Sequence, residues 1–260
     1  MKSFLQQHGY NCQVVSAEMP SGAAILANVM VAWNVPVIDP WNLSTSGLYE
    51  QGPGGRIRVS PDPSGFETLM PELRRGQILA WRTDVIPRFH HCSPAQSPPR
   101  PRTIWIVRDP RDCLYSAWRR EKTASFARFL SAEWRYPGES ALTYITRFCT
   151  AWLSALPALD GLLVRFEDLK RSPGKSLLRV SEYLGLGDVL ASSTHPRKLV
   201  DWNRARKAES RLPERLRAPF TVNRAGQPEE WRESWDSETT RVLNDEFFSL
   251  LERLGYDQGG

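Results

Sequence analysis

Four short apolar runs punctuate the chain: "QVVSA" (13–17), "QILAW" (77–81), "TIWIV" (103–107) and "LLVRF" (162–166). Runs this short, rich in Val, Ile and Leu and with little polar alternation, read as strands buried on both faces, the pattern of a parallel sheet. Longer amphipathic stretches at 22–32, 109–122, 140–156 and 173–185 have the spacing of helices. The alternation predicts an α/β fold in three layers, a central parallel sheet flanked by helices.

Two segments interrupt it. Residues 43–65 are rich in Gly, Ser and Pro and residues 92–102 are dense in Pro, so both are expected to be loops. In an open parallel sheet ligands lie beyond the carboxyl ends of the strands, where such loops would shape an acceptor pocket. Residues 195–220 are basic and broken by Pro, whereas 237–256 has helical periodicity with Gly255 near its end. With 260 residues, 41% of them hydrophobic, the chain can bury one large core, and a single domain over 1–260 is expected.

The net charge is +5 with a pI near 9.2, and arginine dominates the basic residues. Planar guanidinium groups suit bidentate recognition of phosphate or sulfate. The basic residues are dispersed among acids, which argues against a nucleic-acid partner. Cys12, Cys92, Cys113 and Cys149 lie far apart with no CxxC spacing, so neither a zinc site nor a disulfide framework is indicated. The N-terminus lacks an apolar run of signal-peptide length, and no run approaches a membrane span. A cytoplasmic protein without an integral membrane segment is expected, its oligomeric state open between a monomer and a homodimer.

Two stretches carry candidate chemistry. "QVVSAEMPSGAAILANVM" (13–30) reads as a strand, a Ser-Gly turn and a helix start. Free amides and the helix dipole at such a turn attract an anion without any side chain, although plain turn chemistry explains a lone "SG" equally well. "TIWIVRDPRDCLYSAWRR" (103–120) places Arg108 at a strand end and Ser116 two helical turns on. Asp109 ahead of Pro110 suits a helix cap, with a salt bridge to Arg108 as the plain reading. Capping requires neither Arg108 nor Ser116.

Together with "LLVRFEDLKRSPGKSLLRVSEYLGL", "NRAGQPEEWRESW" and the closing "LERLGY", these stretches resemble the sulfotransferases that use 3′-phosphoadenosine 5′-phosphosulfate (PAPS), over residues 13–256. The resemblance implies a fold related to P-loop nucleotide kinases. It also implies transfer of a sulfuryl group to a hydroxyl or amine, leaving 3′-phosphoadenosine 5′-phosphate (PAP), with no metal. It places the 5′-phosphosulfate on Pro20, Ser21, Gly22, Ala23 and Ala24, and the 3′-phosphate on Arg108 and Ser116. The late segment Arg224, Ala225 and Gly226 would close over that phosphate, followed by Trp231. Arg165, Glu167 and Asp168 of "RFEDL" read as structural.

The chain departs from the family loop P-K-S-G-T-T, for Met19, Pro20, Ser21, Gly22, Ala23 and Ala24 lack its lysine and both threonines. Those side chains stabilise charge on the leaving oxygen. "AWRTDVIPRF" (80–89) stands in the place of the family's K-T-H-L-P, which aligns Arg82 with its lysine and Asp84 with its catalytic histidine. Asp84 is thus the first candidate base, with His90, His91 and Glu18 behind it. Trp41, Trp202 and Phe220 could supply an aromatic face for adenine. The expected acceptor is a saccharide, such as a capsule or surface-polysaccharide precursor, or a small secondary metabolite. A PAP-binding protein of the same fold without turnover is the alternative. A P-loop kinase would need G-x-x-x-x-G-K-[ST], which is absent.

Overall fold

The computed structural model describes residues 10–33, 35, 49–51, 57–59, 78–79, 82, 84–96, 102–121, 125–187 and 228–257. Four parallel strands form its centre in the order β5-β1-β6-β9: β1 (Cys12–Val15), β5 (Pro87–His90), β6 (Thr103–Val107) and β9 (Leu162–Arg165). Val15 lies beside His90 and Trp105, and Val107 beside Arg165, so all four carboxyl ends share one edge.

Side chains alternate across these strands, and both faces are buried. Val14, Ile104, Ile106 and Val164 pack against α1 (Ala23–Ala32) and α6 (Pro173–Leu184) through Leu26, Val29, Leu177 and Val180. Their neighbours Val15, Trp105 and Val107 face the opposite way. They meet α2 (Pro110–Glu121), α4 (Ala141–Ala155) and α7 (Ser237–Leu254) through Leu114, Phe148, Trp152, Phe247 and Leu251. The result is the three-layer α/β fold that the runs predict. Each fully buried aliphatic or aromatic side chain contributes about 1.5–3 kcal/mol by leaving water.

The helix ends follow local chemistry. Ser140 and Asp236 cap α4 and α7 by accepting the amides of Thr143 and Thr239. Gly185 and Gly255, at φ of 74° and 70°, close α6 and α7 in the left-handed conformation. Helix α3 (Phe126–Ser131) and the hairpin β7 (Glu133–Tyr136) and β8 (Glu139–Ser140) lead into α4, and the short α5 (Phe166–Arg171) follows β9 directly.

Two expectations are corrected. The run at 77–81 is not a strand of the parallel sheet: Ile78–Leu79 forms β4 of a separate antiparallel sheet with β2 (Tyr49–Gln51) and β3 (Ile57–Val59), which lie inside the segment read as loop. The fourth parallel strand is Pro87–His90. Its leading Pro hides it from a reading by composition, but Pro lacks only an N–H, and the first residue of a strand at the sheet's edge does not need one.

We expect Phe247→Ala, which empties a fully buried position between α7 and the sheet, to cost about 3–5 kcal/mol. Urea unfolding measures it.

Candidate active site

Beyond β1 the chain turns through Ser16–Gly22 into α1. Gly22 sits at φ +93°, and a Cβ added there would stand 2.5 Å from Cδ2 of Phe166. Only glycine allows both this backbone and this approach. Among the described residues, the first amide of α1 with a backbone partner is that of Ile25, which donates to the Gly22 carbonyl at 3.0 Å. The amides of Gly22, Ala23 and Ala24 thus precede the helical ladder, at the positive end of the helix. Ser21 is buried and its hydroxyl donates to Ala17 O at 3.4 Å, tightening the loop. The Pro20 carbonyl faces the Cys113 thiol at 3.8 Å.

Glu18 is the loop's anchor to the second helical layer. Its amide donates to Tyr144 Oη at 2.9 Å, while its carboxylate accepts from Tyr136 Oη and from Arg135 Nη1, the latter at 3.0 Å. Arg135 holds this position with a left-handed backbone, φ 56°.

The second motif arrives beside the first. Arg108 is 3% exposed, its Nη1 donates to Ser116 Oγ at 2.9 Å, and its guanidinium carbon lies 4.7 Å from the centroid of the Phe166 ring. Phe166 therefore touches both Arg108 and the Gly22 turn, and joins the two sequence motifs into one site. Nη2 of Arg108 is 3.6 Å from Asp112 Oδ2, which also accepts the Glu229 amide at 2.7 Å. Burial pushes the Asp112 carboxyl up to about 6 against the pull of Arg108 and the Glu229 amide.

Asp109 caps α2 as expected, accepting Arg111 N at 2.9 Å, but its ion pair is with Arg111, at 2.7 Å. Arg111 also donates to Asn244 and to the Asp257 carbonyl, 2.7 Å each, and stacks on Trp231 at 4.4 Å. Glu167 accepts the Asp109 amide at 3.0 Å and the Tyr256 hydroxyl at 2.7 Å. Burial raises its carboxyl above the usual range. Arg165 Nη1 donates to the Gly255 carbonyl, and its Nε lies 4.0 Å from Asp168.

The structure does not bring Arg82 and Asp84 to this place. Both precede β5 and so lie towards the amino ends of the strands. The Asp84 carbonyl accepts from Asn11, the residue before β1, at 2.7 Å. A four-residue strand spans roughly 13 Å, which separates them from the loop. Arg82 instead forms a two-pronged pair with Asp84, at 3.0 and 2.8 Å, and those bonds hold the half-exposed carboxyl below its ordinary range. Aligning 82–84 with the family segment assumed that the strand was 77–81; with the strand at 87–90, the residues at its carboxyl end are His90 and His91.

These two histidines differ. His90 is buried in the sheet: its Nδ1 accepts the Cys92 amide at 3.2 Å and its Nε2 lies 3.0 Å from Gln13 Oε1, so Nε2 carries the proton. His91 is half-buried at the start of the loop, with Nδ1 2.9 Å from the Ser16 carbonyl and 3.0 Å from its hydroxyl. A carbonyl at that distance holds the proton on Nδ1 and leaves Nε2 as an acceptor. Arg224, Ala225 and Gly226, and the adenine candidates Trp41, Trp202 and Phe220, lie outside the described residues. Among the described residues no group of three His, Cys, Asp or Glu is placed to hold a metal ion, and no helix is long and apolar enough to cross a membrane. All four cysteines are free thiols.

Residues 88–255 match the sulfotransferase domain family. The chain belongs to that family. The chain is 27% identical over 203 residues to carbohydrate sulfotransferase 1 of Danio rerio, an alignment that covers 73% of the chain and 47% of the relative. The chain thus spans about half the length of that protein. Its fold is shared with mouse sulfotransferase SULT7A1, solved in complex with PAP, at a TM-score of 0.54 and 17% identity, covering 93% of this chain and 84% of that one.

Phe166 was not legible as a site residue in the sequence, although "RFEDL" contains it, because an apolar ring among charged neighbours reads as core. Asp112 within "RDPRD" was hidden in the same way among residues of plainer helix-start chemistry. The Arg135 and Tyr136 contacts to Glu18 span 117 and 118 residues of chain and leave no local signal.

Gly22→Ala is expected to destabilise the protein by about 2–4 kcal/mol, from left-handed strain plus overpacking on Phe166. Adding Phe166→Leu should return part of the loss, the steric part; thermal or urea unfolding of the three variants tests the pair.

Proposed function

We propose that this protein transfers a sulfuryl group from PAPS to a hydroxyl or amine of a saccharide acceptor. The observation that carries the reading is the convergence on Phe166 of a glycine turn with open helix amides and a buried arginine-serine pair. Two anion sites at one sheet edge fit a donor with phosphate-bearing groups at two positions. The loop amides of Gly22, Ala23 and Ala24 hold the phosphosulfate end, and Arg108 with Ser116 holds the 3′-phosphate. When bound, PAPS supplies an activated sulfuryl group and leaves as PAP. The relative named a carbohydrate sulfotransferase supports a saccharide acceptor. Free thiols at all four cysteines fit a reducing compartment such as the cytoplasm.

His91 is the general base of this reading, in place of Asp84. Its ring is fixed at the first residue of the loop by the Ser16 carbonyl, and its Nε2 is the atom that takes the acceptor's proton. Asp84, tied to Arg82 and held ionised, is a weak base at the other end of the strands. With Arg82 also there, charge on the departing phosphate is countered by oriented amides and the α1 dipole. The absence of a loop lysine favours one second reading: a protein of this family that binds PAP without turnover.

Calorimetry with PAP and a sulfate-transfer assay across saccharide acceptors separate the two. We expect wild type to bind PAP, Arg108→Ala to bind about 30- to 150-fold more weakly, since a charge-assisted contact is worth about 2–3 kcal/mol, and Arg82→Ala to bind like wild type. His91→Ala should retain PAP affinity while kcat falls by about 10²–10⁴, and Asp84→Ala should retain both. Binding without transfer to any acceptor would establish the second reading, and no PAP binding by wild type would remove both.

A further inference from the structure

Arg108 stands two residues before α2, and Asp112 and Ser116, four and eight residues on, share one face of the helix and both meet Arg108. Asp112, between the two residues assigned to the 3′-phosphate, is fully buried. A carboxylate beside a phosphate site is a paradox, because a bound anion and a buried anion would repel. The contacts of Asp112 sharpen it. Oδ2 accepts the Glu229 amide at 2.7 Å and lies 3.6 Å from Arg108 Nη2, beyond a good hydrogen bond. Oδ1 is buried and has no hydrogen-bond partner among the described residues.

We infer that Asp112 is the positioning residue of the donor site and works by taking up a proton: an anion arriving at Arg108 and Ser116 draws the guanidinium towards itself, and Asp112 binds a proton from solvent in exchange. This rests on the donor reading above. A protonated Asp112 keeps one oxygen for the Glu229 amide and gains an O–H donor on the other. It also leaves the charge of Arg108 to the ligand.

The charged surroundings set the sign. Among the described residues, Arg108 is the cation facing Asp112. Asp109 and Glu167 face it as acids, and Asp109 is already matched by Arg111 at 2.7 Å. The Glu229 carboxylate is held outside by Arg171 and Arg232, at 3.2 and 3.4 Å. Before binding, burial leaves Asp112 half-protonated at about pH 6. A further anion at Arg108 acts in the same direction as the burial and raises that midpoint by roughly 1–3 pH units. Near pH 7 the carboxyl is then mostly ionised before binding and half-protonated or more after it. Binding takes up a proton and tightens as pH falls through this window. The ligand's own second phosphate ionisation, with a pKa of about 6, works the other way, so wild type must be compared with a protein that binds the same ligand and lacks only the titrating carboxyl.

Asp112→Asn meets that need, since its side-chain oxygen still accepts the Glu229 amide but cannot titrate. PAP calorimetry at pH 7, in buffers of differing ionisation enthalpy, counts the protons taken up by each protein. Wild type should take up more than Asp112→Asn, by about half a proton or more per PAP bound. Equal uptake with intact PAP binding would overturn this inference and leave the donor reading standing, whereas no binding by wild type would overturn both. If Asp112→Asn does not fold, carboxyl-detected NMR of wild type decides. The Asp112 midpoint should lie near 6 without ligand and rise by about one pH unit or more with PAP, and a midpoint unmoved by PAP refutes the proposal.

Discussion

The contact on which this architecture depends is the meeting of Gly22 and Arg108 on the ring of Phe166. The glycine turn ends β1, the arginine ends β6 and the phenylalanine follows β9, so a single side chain ties together the carboxyl ends of three strands. A parallel sheet fixes where its strand ends lie but not how the loops beyond them face one another. Phe166 settles that. It is rigid and buried, and its face interacts favourably with a guanidinium, so it orients Arg108 without consuming the hydrogen-bond donor that reaches Ser116. Its edge limits how closely the loop can approach, which is why a side chain at position 22 has no room.

A ring of polar contacts locks this arrangement from the far side. Glu167, next to Phe166, binds the amide of Asp109 and the hydroxyl of Tyr256, and Arg111 links Asp109 to Asn244 and Asp257. The end of the chain is thereby fastened to the start of α2. Buried charges of this kind add little net stability when paired, yet losing one partner is costly, because the other is left in a medium that cannot solvate it. Their effect is geometric: Arg108 is followed directly by a helix start whose Arg111 reaches residues 133 and 146 positions further along the chain.

Much of the fold was legible because the strands β1, β6 and β9 are Val, Ile and Leu runs whose alternate residues enter two cores, and because Asp109 caps the helix after β6. The strand Pro87–His90 was not. It is short, begins with proline and contains a buried histidine, and each of these features reads as loop. Mistaking that strand moved the expected base and cation by a whole strand length, to Arg82 and Asp84. With the strand at Pro87–His90, Arg82 and Asp84 precede it and so fall at the opposite ends of the parallel strands. Arg108 and Ser116 were legible because they share one local motif. The clasp of Glu18 by Arg135 and Tyr136 is a tertiary fact with no local trace.

The missing loop lysine is best understood through the charge already present at this sheet edge. A lysine in the loop would add a mobile, strongly hydrated cation close to a region that holds Arg108, Arg111 and the Arg135–Glu18 pair. Here the loop is apolar on its helix side, with Ala23 packed at the edge of the hydrophobic core and Ser21 turned back onto Ala17. In the reading proposed above, its attraction for an anion would come from amides whose direction is set by φ at Gly22 and by the start of α1. Amides carry no net charge and need no reorganisation when an anion arrives, so such a loop depends on placement more than on charge. That placement is what Phe166 on one side and the Glu18 clasp on the other provide, and it fits a loop that carries a glycine at the turn and no lysine.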